Sequence, residues 1–137
     1  MFTVRKATGI VMGTALVAVA AVVFAAGKPP EKTQGLEGTQ TAVQQFPLAA
    51  QIPAMAGYEL RGRRVTVVPG GAIVEHSHAD RPGIVYILEG SMTEYRGTAV
   101  RVVKAGDTWA EDASTVHWFE NTTDKPCVIW AVDLVKK

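Results

Sequence analysis

From Ala42 to the C-terminus no long stretch places apolar residues every three or four positions. Short β-branched runs recur instead, at Arg64 to Val68, Ala72 to Glu75, Ile84 to Leu88, Ser91 to Tyr95, Ala99 to Val103, Val116 to Glu120 and Cys127 to Val135. Turn-forming residues fill the gaps: Pro69-Gly70-Gly71, Asp80-Arg81-Pro82-Gly83, Glu89-Gly90, Arg96-Gly97, Lys104-Ala105-Gly106-Asp107 and Asn121 to Pro126. Glycine reaches positive φ without steric cost and proline fixes φ, so each cluster is expected to end a strand. Regularly spaced short strands predict an all-β sandwich or barrel of antiparallel strands. Leu36 to Tyr58 has a weaker pattern, that of an N-terminal strand or of a short helix followed by an irregular arm around Pro47 and Pro53.

The opening of the chain is patterned differently. Arg5 and Lys6 precede an uncharged run from Ala7 to Ala26 that ends in small residues, the arrangement of a secretory signal. Residues 1–25 are therefore expected to be removed, leaving a periplasmic or secreted protein. Uncut, a run of about 20 apolar residues would also serve as a membrane anchor facing the periplasm. Residues 26–41, rich in Gly, Lys, Glu, Thr and Pro, read as a flexible linker, and 42–137 as the folded domain.

At 137 residues, 47% hydrophobic and 20% charged, the chain fits one globular domain. Its 14 basic and 13 acidic residues give a net charge of +1, and loss of Arg5 and Lys6 leaves 12 against 13, or −1. No basic stripe remains, so neither nucleic acid nor an acidic lipid surface is an expected partner. Cys127, the single cysteine, allows no internal disulfide and sits in an apolar run, as a small buried hydrophobe does.

The three histidines fall in two blocks, Gly70-x5-His76-x-His78 and Gly106-x10-His117-x3-Asn121. Residues two apart on a strand share a face, so His76 and His78 can converge on one point. Neutral imidazoles are common transition-metal ligands, and His117 from a distant strand would complete a three-histidine set with open coordination positions.

These blocks resemble the paired motifs of the cupin superfamily, whose small members are single double-stranded β-helix (jelly-roll) barrels. The resemblance covers about Tyr58 to Val135, including the 15 residues from Ser91 to Ala105 between the blocks. It implies an all-β jelly-roll barrel with a divalent transition metal (iron, zinc, nickel, manganese or copper) on His76, His78 and His117. It departs from the family pattern where the first motif's usual glutamate ligand would stand, which here is Gly83; the second motif's usual Pro and Gly are Asp112 and Ser114. Three neutral ligands would leave the ion's +2 charge uncompensated, so a small anionic or chelating organic molecule is the expected ligand. The expected chemistry is that of a metal-dependent dioxygenase or an isomerase or lyase. A non-catalytic periplasmic binding module and a structural dimer with a vestigial site are the alternatives, and a homodimer is the expected assembly.

If position 83 faces inward like its motif counterpart, alternation places Val85 and Ile87 inward as substrate contacts. Arg81 shares that parity and is a candidate for a substrate carboxylate. Phe119, two residues beyond His117, is expected on the inner face, with Trp118 outward. Glu111, Glu94 and Tyr95 are the candidates for a fourth ligand or a general base, whereas Glu75 alternates away from the histidines. Mass spectrometry of native material is expected to find a chain lacking residues 1 to about 25; full-length chain in the membrane fraction would indicate the anchor instead.

Overall fold

The structure, a computed structural model, describes residues 27–37 and 42–137; the expected export segment lies outside them. Nine strands run in chain order among the described residues: β1 Gln34–Glu37, β2 Ala42–Pro47, β3 Tyr58–Ser77, β4 Gly83–Glu89, β5 Ser91–Arg96, β6 Ala99–Lys104, β7 Thr108–Glu111, β8 Val116–Glu120 and β9 Cys127–Lys136. They form one curled antiparallel sheet in the order β6-β5-β8-β3-β9-β4-β7, with β1 and β2 also paired to β3. This is the double-stranded β-helix that the sequence predicts.

The largest difference from the sequence reading lies at Pro69-Gly70-Gly71, which bends a strand rather than ending it. Up to Val67, β3 pairs with β9; from Ala72 onward it pairs with β8. Gly70, at φ 74°, supplies a backbone conformation open to few other residues. The Gly70 N–H donates to Asn121 O (2.8 Å) and the Asn121 N–H to Gly71 O (2.9 Å), so the ladder continues through the bend. The Asn121 side chain is buried and fully used: Nδ2 donates to Val67 O and Lys125 O, and Oδ1 accepts from the Thr123 N–H and hydroxyl.

The stretch read as a linker is also different. Gln34–Glu37 pair with β3, and the Val74 N–H donates to Thr33 Oγ1 at 3.0 Å, because a bent β3 leaves backbone groups that an added strand can satisfy. Leu36 packs on the core. Between Leu36 and Tyr58 the structure has strand β2 and a single 3-10 turn, Pro53–Met55. Strand β7 was hidden by its length of four residues.

Alternation arranges the inner face of one wall in rungs across β3, β9, β4 and β7. The outermost is Arg61, Asp133, Gly83 and Glu111; the next is Arg63, Ala131, Val85 and Trp109; below them lie Val65, Ile129 and Ile87. The wall thus grades from charged to apolar, and its lower rungs join Met92, Val103 and Phe119 of the opposite wall in the core. On the outer face Ile84, Tyr86 and Leu88 are exposed, as alternation requires. Asn121→Ala is expected to lower the unfolding free energy by roughly 3 kcal/mol, since it strands the Val67 carbonyl and the Lys125–Thr123 turn. Urea denaturation measures this; a loss comparable to that of an exposed substitution would contradict the clamp.

Candidate functional site

His76 and His117 face each other as rung partners on β3 and β8, and His78 follows where β3 ends. Their ring centroids lie 4.8–5.0 Å apart, and their available nitrogens lie within 4.8 Å of one another. Each Nδ1 meets an oxygen acceptor: Val74 O for His76 (2.9 Å), Arg81 O for His78 (3.0 Å) and Glu94 Oε1 for His117 (2.6 Å). Nδ1 must therefore carry the proton, and each Nε2 keeps a bare lone pair. The Nε2 atoms of His78 and His117 are 3.1 Å apart, where two lone pairs repel. Two ligands on one ion at about 2.1 Å and angles of 90–109° stand about 3.0–3.4 Å apart, so this donor set fits a shared metal.

Burial pushes the His76 imidazole down to about 4, against the raising effect of its bond to Val74 O and with further lowering by His117 and His78. Burial likewise lowers His78. Both rings are thus neutral, the form a metal requires. Behind His117, burial raises the Glu94 carboxyl, but hydrogen bonds from His117 and Arg101 outweigh it and hold the group down to about 2. A carboxylate locked to the remote nitrogen of a ligand fixes its tautomer and strengthens it as a donor.

The carboxylate absent at Gly83 returns from across the sheet. Glu111 is the rung partner of Gly83, is buried, and brings Oε2 to 3.2 Å from His78 Nδ1 and Oε1 to 3.5 Å from His117 Nε2. The sequence offers Glu111 as a candidate fourth ligand; what it does not show is that Glu111 stands opposite Gly83. A Cβ at Gly83 would stand 2.8 Å from Val132 O and 3.1 Å from Asp133 Cβ, so a glutamate there is crowded out. Over the same mouth, Asp133 takes a bidentate bond from Arg61 (2.9 and 2.7 Å), with Arg63 Nη2 at 3.4 Å and Arg81 Nε at 3.6 Å.

These groups surround a pocket of about 200 Å³, lined by His76, His78, Glu111, Arg63 and Arg81 with an apolar wall of Val85, Ile73 and Phe119. The cupin domain family matches residues 63–134, more than half the chain. The chain is a cupin.

Solved structures with TM-scores above one half agree on the fold. This cupin is 16% identical to an uncharacterized conserved protein with a double-stranded β-helix domain from Klebsiella pneumoniae, over 85% of this chain and 90% of that one, with a TM-score of 0.54. A protein from Thermus thermophilus is 17% identical over 84% and 92% of the two chains, with a TM-score of 0.52. A cupin 2 conserved barrel domain protein from Salinispora arenicola is 27% identical with a TM-score of 0.49; the match covers 57% of this cupin and 63% of that chain. No curated protein matches.

Of the residues singled out from sequence, His76, His78, Glu111, Arg81, Val85 and Phe119 line the pocket, and fully buried His117 stands behind it, its Nε2 3.1 Å from that of His78 and its ring 4.6 Å from that of Phe119. Glu94 stands behind His117, one layer back from the cavity. Ile87 lies in the core and does not line the pocket, although Ile129 beside it on the same rung does. Tyr95 is a correction: it points to the other face of β5 and stacks on Trp118 at 3.7 Å, so it can act on no ligand here. Sequence reasoning missed Arg63, Trp109, Thr33 and Leu36, which line the pocket, and the Arg61–Asp133 pair. A signal existed for three of them: Arg61 and Arg63 share the parity of buried Val65 and Val67, and Asp133 shares that of Ile129 and Ala131.

His76 and Glu94 are both protonated more readily in the unfolded chain, at 6.5 and 4.5, than in the fold. Metal-free protein is therefore expected to hold its full stability above about pH 6.5, lose part of it as pH falls to about 4 through His76, and lose more between 4.5 and 2 through Glu94. Urea midpoints of chelator-treated protein at pH 7.5, 5.5 and 4 check this; unchanged midpoints would contradict the buried neutral ring.

Proposed function

We propose that this cupin is exported, holds one divalent transition metal on His76, His78 and His117, and binds a small chelating organic anion over it. The observation that carries the reading is the convergence of bare Nε2 lone pairs, 3.1 Å apart for His78 and His117, at a pocket edged by arginines. Glu111 is placed to be a fourth donor or to act on the bound ligand. The export signal rests on the pattern of residues 1–26.

A volume of about 200 Å³ lies below the usual range for drug-sized ligands, so a metabolite-sized acid fits. Arg63, Arg81 and Arg61 supply three positive charges at the mouth against the carboxylates of Asp133 and Glu111, which leaves the entrance attractive to anions. Val85, Ile73 and Phe119 exclude water from one side and so strengthen each polar contact. A bound ion would supply Lewis acidity to a coordinated carbonyl or hydroxyl. Glu111, buried beside that position, is suited to take a proton from the adjacent carbon and return it elsewhere, which favours isomerase or lyase chemistry over dioxygenation.

Protein purified without chelators or affinity tags is expected to contain about one metal per chain, and alanine at any of the three histidines to remove most of it. Metal-loaded protein is expected to bind a 2-oxo acid at least tenfold more tightly than the neutral amide by calorimetry, and Arg81→Ala to narrow that gap. Stoichiometric metal in His117→Ala would refute the three-histidine site, and equal affinity for acid and amide the anion preference. Bound acid with no turnover would identify a binding module.

A further inference from the structure

Two N–H groups in the pocket wall are buried and find no hydrogen-bond acceptor among the described residues: Arg63 Nε and Trp109 Nε1. They occupy the two ends of one inward rung, Arg63 on β3 and Trp109 on β7, with the smaller Ala131 and Val85 between them, and all four side chains line the pocket. Two strays in unrelated places would be a packing accident. Two on one rung, both in the wall of the cavity that His76 and His78 line, are unmet donors turned toward one space.

No group among the described residues bonds to either donor. Asp133 is the one carboxylate in contact with Arg63 among the described residues, and both its oxygens are already taken by Arg61, at 2.9 and 2.7 Å. Arg63 reaches it through Nη2 alone at 3.4 Å, which leaves the Nε edge of the guanidinium turned elsewhere. Three guanidinium groups share this single aspartate. A buried cation without its full complement of acceptors is costly, and an incoming anion that supplies them is correspondingly favoured. The indole is held in position: Arg101 lies over its ring at 4.9 Å and is itself bonded to buried Glu94. Its N–H is thus fixed before a ligand arrives.

Building on the reading of a metal-chelating pocket, we propose that the ligand is a dicarboxylic acid, chelating at the histidine end and accepting with its second carboxylate from Arg63 Nε–H and Trp109 Nε1–H. The charged fork selects a carboxylate over a hydroxyl, and the indole N–H takes its other oxygen. Val85 and Ala131, on the strands between the two donors, form the apolar floor under that carboxylate.

Calorimetry on metal-loaded protein with paired probes tests this. The 2-oxo diacids of four, five and six carbons are compared with the 2-oxo monoacids of the same length. At one or more lengths the diacid is expected to bind at least tenfold more tightly than its partner. Trp109→Phe, which keeps a ring for Arg101 to cover, is expected to cut that preference severalfold, losing far more diacid than monoacid affinity, with metal content at the wild-type level. Arg63→Lys is expected to abolish the preference; should it fail to fold, Trp109→Phe decides alone. Equal affinity of diacid and monoacid at every length, or a preference retained in full by Trp109→Phe, would overturn the second-carboxylate position while leaving the chelating pocket standing. Failure of every acid to bind metal-loaded protein would overturn both.

Discussion

One strand belongs to both walls of the pocket, and every feature of the site depends on how it turns. β3 carries Arg61 and Arg63 while paired to β9, then His76 and His78 after it has passed to β8. The passage occupies Pro69-Gly70-Gly71 and is secured by the backbone and side chain of Asn121. Without the bend, the arginines and the histidines would lie roughly 40 to 55 Å apart along one flat strand. With it, they face each other across a cavity. The two walls also keep different tasks: one ends in imidazoles whose protons point away from the centre, the other in guanidinium groups.

Three carboxylates are buried among the described residues, and their partners divide their labour. Glu94 meets His117, Arg96 and Arg101, so it is held ionised and serves to orient a ring. Asp133 meets three arginines and organises the mouth. Glu111 differs: its close ionic neighbours among the described residues are two imidazoles, His78 and His117, and no permanent cation. With no bidentate cation to hold it, as Arg61 holds Asp133, its oxygens are the ones turned toward the histidine centre. Glu111 also shows how a sheet replaces a lost group, since the rung opposite Gly83 delivers the same chemistry from β7.

Strand-scale features were legible in the sequence because they obey period two. β4, β5, β6, β8 and β9 run within a residue of their expected bounds, and His76, His78 and His117 could be grouped from spacing and from the resemblance to cupins. What stayed hidden was contributed by pairing between distant segments. Nothing local to Glu111 announces that it stands opposite Gly83, and nothing local to Gln34–Glu37 announces a strand, because its partner's exposed backbone is the cause. Tyr95 was misplaced by one step of alternation: Glu94 beside it points in and Tyr95 points out. Pro69-Gly70-Gly71 misled for a related reason, since the residues that end a strand are also those that bend one.

The bond from His117 to Glu94 makes the three imidazoles electronically unequal. His76 and His78 give their remote protons to neutral carbonyls, but His117 gives its own to an anion and so gains imidazolate character. An ion on this set would feel one strong donor and two ordinary ones. A stronger donor would offset more of an ion's charge, so His117, whose ring Glu94 orients, would be the ligand that matters most to such a centre. The three histidines would then hold an ion unevenly, with its firmest anchor on β8, backed by the carboxylate of β5.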